Sequence, residues 1–325
     1  MKIYRGLMGA VVMLFVCGCS NTQIENREFP AILTVTSESD FASEWLNGLQ
    51  EGNKKIDYNH LKVVLIERDF LENEQAMTEM LAVLKADKNV PLNAYVVTTE
   101  NVKNLTEKDF SEPLGDYLEK LLEKGDSVKK ETYPTIGLLY QEEENRRETL
   151  FIPCISLVEE KPVVASYEAY KRGRAKDLVE TDGALLSFFL ANEIKNYVLD
   201  LGENQFVQLS DSQNEIDFEW ERMENGLLKK QVIAEVHCDG KLLVPSYAAL
   251  TKNQEKEDIQ EQLEVQIYEY MTDKASRMLE RGIDVTNSYK KLGREPEWYA
   301  YYAQNPDFYE GEIEILFDID IDWTD

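Results

Sequence analysis

Histidine is almost absent: His60 and His237 are the only two in 325 residues. They do not form the H-E-x-x-H spacing that puts two zinc ligands on one helical face, so a zinc protease of that type is excluded. There are four cysteines, two of which fall within the first nineteen residues. The remaining pair, Cys154 and Cys238, is too few for a disulfide framework, and sequence leaves open whether they pair or lie buried as thiols. Basic residues are scarce, 35 against 62 acids, for a net charge of −27. Such a chain is repelled by nucleic acid, so none is expected as a partner. Long apolar runs are missing too, since a membrane-spanning helix needs about 20 such residues. The first strand-to-helix turn, Thr36-Ser37-Glu38-Ser39-Asp40, has acids where a phosphate site wants glycines. Neither a Walker loop nor a G-x-S-x-G elbow occurs. No cofactor, no bound metal and no catalytic residue is expected.

What is present begins with a leader. Lys2 and Arg5 precede an apolar stretch, Leu7 to Cys17, broken only by Gly9. That length suits the core of a secretory signal and is too short to span a bilayer. It ends in Val16-Cys17-Gly18-Cys19 followed by polar residues. This resembles a bacterial lipobox, in which small residues admit the peptidase and the thiol of Cys19 takes up the lipid. The reading is a signal peptide at 1–18, lipidation at Cys19 and attachment to a membrane through that anchor. Loss of Lys2 and Arg5 takes the mature charge from −27 to −29. The acidic body is then expected to stand off anionic headgroups.

The remaining 307 residues (325 less 18) suggest two or three domains. After a tether at 19–28, an N-terminal α/β domain is expected over 29–148. Strands at Phe29–Val35, Leu61–Ile66 and Asn93–Thr98 alternate with helices, one starting near Asp40 and one at about 71–86. The second carries Met77, Met80, Leu81 and Leu84 on one face. This order implies right-handed crossovers and a partly parallel sheet. A further helix is expected at about 112–124. A middle domain over 149–210 opens on a hairpin turning at Glu159–Pro162, then has a short apolar helix and two strands. A C-terminal domain, 211–325, combines an antiparallel meander at 214–247, a long helix from Glu255 to Arg281 and a final edge strand. Turns in the meander are expected at Asn225-Gly226 and Asp239-Gly240, where both dipeptides tolerate positive φ. The fold class is therefore mixed α/β, or α+β.

Four constellations need weighing. His237-Cys238-Asp239 offers metal-type ligands, but Cys238 shares an apolar strand face with Val232, Ala234 and Val236. Asp318, Asp320 and Asp322 imitate the start of a calcium loop, yet Trp323 stands where the glycine belongs, so a solvated strand face is the better reading. Lys171, Arg172, Arg174 and Lys176 form a basic island, read as a solvated loop that could also touch headgroups or an acidic partner. Trp298, Tyr299, Tyr301, Tyr302, Phe308 and Tyr309 crowd one connection. Core packing explains them, and so does a partner interface anchored on Trp298, Tyr299 and Tyr302.

Three blocks, taken in order, resemble the Ger(x)C family, the lipoprotein C subunits of spore germinant receptors. They are Tyr58 to Glu67 around His60-Leu61-Lys62, Val90 to Thr98, and Gly282-Ile283-Asp284-Val285 through Pro296-Glu297-Trp298-Tyr299 to the last strand. The lipobox sits where the family has it. Ser20 after the lipid-bearing cysteine, and a first strand without the family's Gly-(Ile/Val)-Asp ending, make this a divergent member. The resemblance implies a three-domain mixed α/β lipoprotein on the outer face of the spore inner membrane. Its partners would be a transporter-like membrane subunit and a second subunit with a soluble domain. It implies no catalysis. The alternatives are an extracytoplasmic solute-binding lipoprotein that serves a permease and, third, an extracytoplasmic hydrolase.

Overall fold

A computed structural model of the chain describes residues 27–37, 40–43, 45, 55–124, 128–145, 149–171, 173–202, 205–222, 228–243, 256–287, 296 and 313–324. The chain enters through β1 (Arg27–Glu28), which pairs in parallel with β3 (Lys55–Ile56). Between them β2 (Ile32–Val35) starts the larger sheet. Parallel strands β4 (Val63–Glu67) and β5 (Tyr95–Thr99) follow, then the antiparallel β6 (Leu150–Val158), β7 (Lys161–Lys171) and β8 (Arg174–Glu180). The order is β2-β4-β5-β6-β7-β8, with β6 parallel to β5 and the two outer pairs antiparallel. One sheet thus runs across residue 149, where a separate unit was expected to begin.

Helices cover both faces of the parallel part. After the short α1 (Arg68–Leu71), α2 (Glu74–Ala86) is capped by Asn73, whose Oδ1 accepts from the Ala76 amide at 3.1 Å. Its Met77, Met80, Leu81 and Leu84 pack with Val64, Ile66 and Val96, joined by Ile136 and Leu139 of α5 (Ile136–Asn145). The opposite face takes α3 (Val102–Thr106) and α4 (Leu114–Glu123), whose Val102, Leu105, Leu118 and Leu122 pack with Val63, Leu65 and Val97. Double coverage is why Val63 to Ile66 is an unbroken apolar run, with all four side chains fully buried. Near the amino end, Asp40 caps residues 41–43 by accepting from the Ser43 amide, and Phe41 and Trp45 are buried.

After β8, α6 (Thr181–Leu190) is buried nearly all round, including Leu186, Phe188 and Phe189. It joins the first sheet to a second, made of β9 (Asn196–Asp200), β10 (Phe206–Ser210), β11 (Glu215–Arg222), β12 (Leu228–Leu243) and β13 (Ile313–Trp323). The order is β11-β12-β10-β9, with β13 on the other side of β12. The two strands expected in the middle unit therefore bond into the C-terminal sheet. The long helix α7 (Lys256–Glu280) crosses from β12 to β13, which run parallel. Its Ile259, Leu263, Ile267, Met271, Ala275 and Met278 are all buried, and this is the face its periodicity marked.

Two turn expectations fail. Asp239 and Gly240 do not turn the chain: β12 runs through them, with Gly240 beside Trp323 on one side and Leu209 on the other. The glycine serves a close approach instead, because a Cβ there would lie 2.4 Å from Ile321 Cγ2. The turn near 160 is tighter than expected. Glu159 and Glu160 alone make it, at φ 47° and 68°, and Pro162 already pairs with Leu157 in the strand. Two glutamates take left-handed positions that usually go to Asn-Gly, because the register of the long hairpin outweighs their local preference. The Asn225-Gly226 turn lies outside the described residues, although β11 and β12 do pair as the hairpin it implied.

Candidate functional site

The residues singled out from sequence are placed unevenly. Cys19, Trp298, Tyr299 and Tyr302 lie outside the described residues. Asp318, Asp320 and Asp322 are exposed along the outward face of β13, as the alternation implied. His237 lies 3.4 Å from Asp320, both side chains open to solvent, while Cys238 faces the core. Burial pushes the Cys238 thiol up to about 12, with Asp239 adding to the effect, and burial also raises that of Cys154. Both are free and buried, in different sheets. Among the described residues no group of three metal-binding side chains converges. The basic island is not a solvated loop throughout. Lys171 ends β7 with 2% of its surface exposed.

Two open clefts have the size of small-molecule sites. One, of about 380 Å³, lies beyond the carboxyl end of β5, between Glu100, Asn101, Lys108 and Ser156. The other, of about 470 Å³, is flanked by Asp200, Glu269, Asp273 and Tyr270. The Tyr270 hydroxyl is held up at about 12 by burial and by Asp182. Neither lining contains a histidine or a cysteine.

A buried polar junction among the described residues was passed over by sequence reading. Helix α7 ends in a Schellman motif: Gly282, at φ 75°, donates to Leu279 O, and Ile283 donates to Met278 O. This ending points the next residues inward. Ile283, Asp284, Val285 and Thr286 are all buried. Asp284 Oδ1 accepts from the Thr286 amide at 2.9 Å and also from its hydroxyl. The Val285 carbonyl accepts from Ser187 of α6 at 2.7 Å, and Asn287 Oδ1 accepts from the Thr149 amide before β6 at 3.2 Å. Lys230 of β12 is fully buried here; burial pulls its ammonium down to about 8, and Lys171 pushes it further down while Asp284 holds it up. Five residues thus engage the first sheet, the linking helix and the second sheet. Just outside, Arg281 Nε donates to Asp177 of β8 at 2.6 Å, which lowers the Asp177 carboxyl.

Parity could have revealed Lys230, which falls on the same strand face as Val232, Ala234, Val236 and Cys238. Asp284 was within a family-like block, but nothing local marks it as buried. A second pair, the half-buried Arg68 and the buried Glu168, sits between α1 and β7 at 2.7 Å, close but without hydrogen-bond alignment. Burial raises the Glu168 carboxyl to about 7 against the opposing pull of Arg68. These groups bind parts of the fold to one another, which suits a body that transmits or resists displacement.

Comparison with known proteins follows from this architecture. Residues 21–157 match the family model described as the spore germination protein N-terminal domain. Among solved structures, the crystal structure of the GerBC protein superposes with a TM-score of 0.58 at 12% identity, covering 82% of this chain and 79% of that one. At that identity the likeness concerns the fold. No protein with a curated description matches.

Proposed function

We propose that the chain is a divergent member of the Ger(x)C family of spore germination proteins and serves as the lipid-anchored, non-enzymatic subunit of a spore germinant receptor. Its place is the outer face of the spore inner membrane, where Cys19 holds it. Its role is to support assembly or signalling beside a transporter-like membrane subunit and a second subunit with a soluble domain. The match over residues 21–157 carries this reading. The buried junction between the two sheets supports it, because a relay between membrane partners needs a body that moves as one piece. The aromatic residues Trp298, Tyr299 and Tyr302 are the proposed anchors of the partner contact. The second reading, a solute-binding lipoprotein, has the two clefts in its favour, both within the range of ~300–1,000 Å³ typical of ligand pockets.

The test is made in the host. Spores carrying Cys19→Ala should lose the protein from the membrane fraction and lose the response to at least one germinant, while germination through other triggers proceeds. Normal responses from spores shown to lack the protein in their membranes would overturn the reading. Impaired solute uptake with intact germination would favour the second.

A further inference from the structure

The register of the first sheet lines up three surface side chains that its strand pattern does not explain. Ile32, Val63 and Tyr95 form one row across β2, β4 and β5. Phe29, His60 and Leu92 each stand three residues before that row, in the segments that lead into the amino-terminal ends of three adjacent parallel strands. Phe29 is 41% exposed and Leu92 53% exposed, and the His60 ring packs edge-on against Phe29 at 5.1 Å. Among the described residues apolar side chains this open are few, and here two stand at the same end of one sheet. Lys62 bridges Asp116 and Glu119 at 2.7 and 2.6 Å, and Asp57 is turned inward to accept from the Asn59 amide.

The chain enters the described body at this same end. Seven residues, 20 to 26, separate Cys19 from Arg27, and their contour cannot exceed about 28 Å. We propose that Phe29, His60 and Leu92 form a membrane-contact edge, on which the body rests against the bilayer that holds its lipid. The proposal rests on the lipid-anchored reading of Cys19. A free body this acidic would not seek a lipid surface, but a short tether removes the cost of approach and leaves the local surface to decide which end touches. The apolar edge beside the tether is the end that gains from contact. Contact there sets the orientation of everything above it: the carboxyl ends of the strands, with the cleft near Glu100 and Lys108, point away from the membrane.

The full chain, recovered from membranes and checked for acylation by mass spectrometry, provides the test. Leu92→Cys and, as a control on the outer face of α7, Val265→Cys are labelled with an environment-sensitive fluorophore. Cys154 and Cys238, 3% and 6% exposed, are shielded from the reagent. The proteins are placed in phosphatidylcholine vesicles with doxyl-labelled phosphatidylcholine as quencher. The label at 92 is expected to lose most of its emission and the label at 265 to keep it, with Phe29→Ser restoring much of the signal at 92. An acylated, vesicle-bound protein with equal emission at both positions overturns the contact and leaves the anchor standing. A protein recovered without lipid overturns both. Burial of the label at 92 in native membranes but not in pure lipid assigns the edge to a protein partner and overturns the lipid contact.

Discussion

The two sheets solve the same burial problem in opposite ways. The parallel core of the first is roofed on both faces, by α2 and α5 on one side and α3 and α4 on the other. The second is covered by α7 on one face, and its other face presents Asp217, Glu235, Asp318, Asp320 and Asp322 toward solvent. The difference is written in the strands: Val63 to Ile66 is apolar at every position, whereas Ile315, Phe317, Ile319 and Ile321 alternate with Glu314, Leu316, Asp318, Asp320 and Asp322, all but one of them acids. The number of covered faces, rather than strand direction alone, sets the pattern, since β13 is parallel to β12 and still alternates. The charge follows the same division, because an open sheet face is where an acidic protein can place carboxylates at little desolvation cost.

The largest test of this comparison removes what couples its two halves. Asp284→Ala leaves the Lys230 ammonium buried without that counter-charge and is expected to cost about 3–5 kcal/mol. Urea unfolding of the soluble body should show the loss, and a separation into two transitions would mean that the junction, rather than the shared apolar core, makes the sheets cooperative. Next comes the contrast in coverage. Leu65→Ala, in the roofed sheet, should cost about 2–5 kcal/mol. Leu316→Ala, on the outward face of β13, should change stability by no more than about 0.5 kcal/mol. Comparable losses at the two sites would mean that the outward face is itself covered.

The smallest effect is a pH dependence. Glu168 is raised to about 7, mainly by burial. The folded chain therefore holds this proton more tightly than the unfolded one. The stabilisation is complete below the ordinary carboxylate range and is lost as pH rises through about 7. The slope is bounded at about 1.4 kcal/mol per pH unit. Glu168→Gln should flatten that part of the profile, so the melting-temperature gap between variant and parent should change between pH 5 and 8 in the variant's favour. A constant gap would mean that Arg68 keeps the carboxylate ionised throughout.

Much of this molecule was legible in one dimension, because periodicity reports local burial. The core face of α7, the continuous run of β4 and the alternation of β13 were all read from the order of apolar residues. Turn chemistry served less well. Asp239-Gly240 satisfies a local rule for a hairpin but sits in a straight strand, because the ring of Trp323 and the side chain of Ile321 need the space a Cβ would fill. Glu159-Glu160 breaks the same rule and turns the chain.

Sequence by itself determined the lipobox pattern at Cys19, the charge balance and the alternation of elements, each of which depends on neighbours along the chain. Only the tertiary structure decided which sheet claims β6 to β10, that Lys171, Lys230 and Asp284 meet out of water, and that Phe29 and Leu92 share one edge. Those outcomes depend on strand register and on the packing of elements far apart along the chain. A local pattern states that a side chain is buried or exposed, and it carries no information about which distant group the side chain will meet.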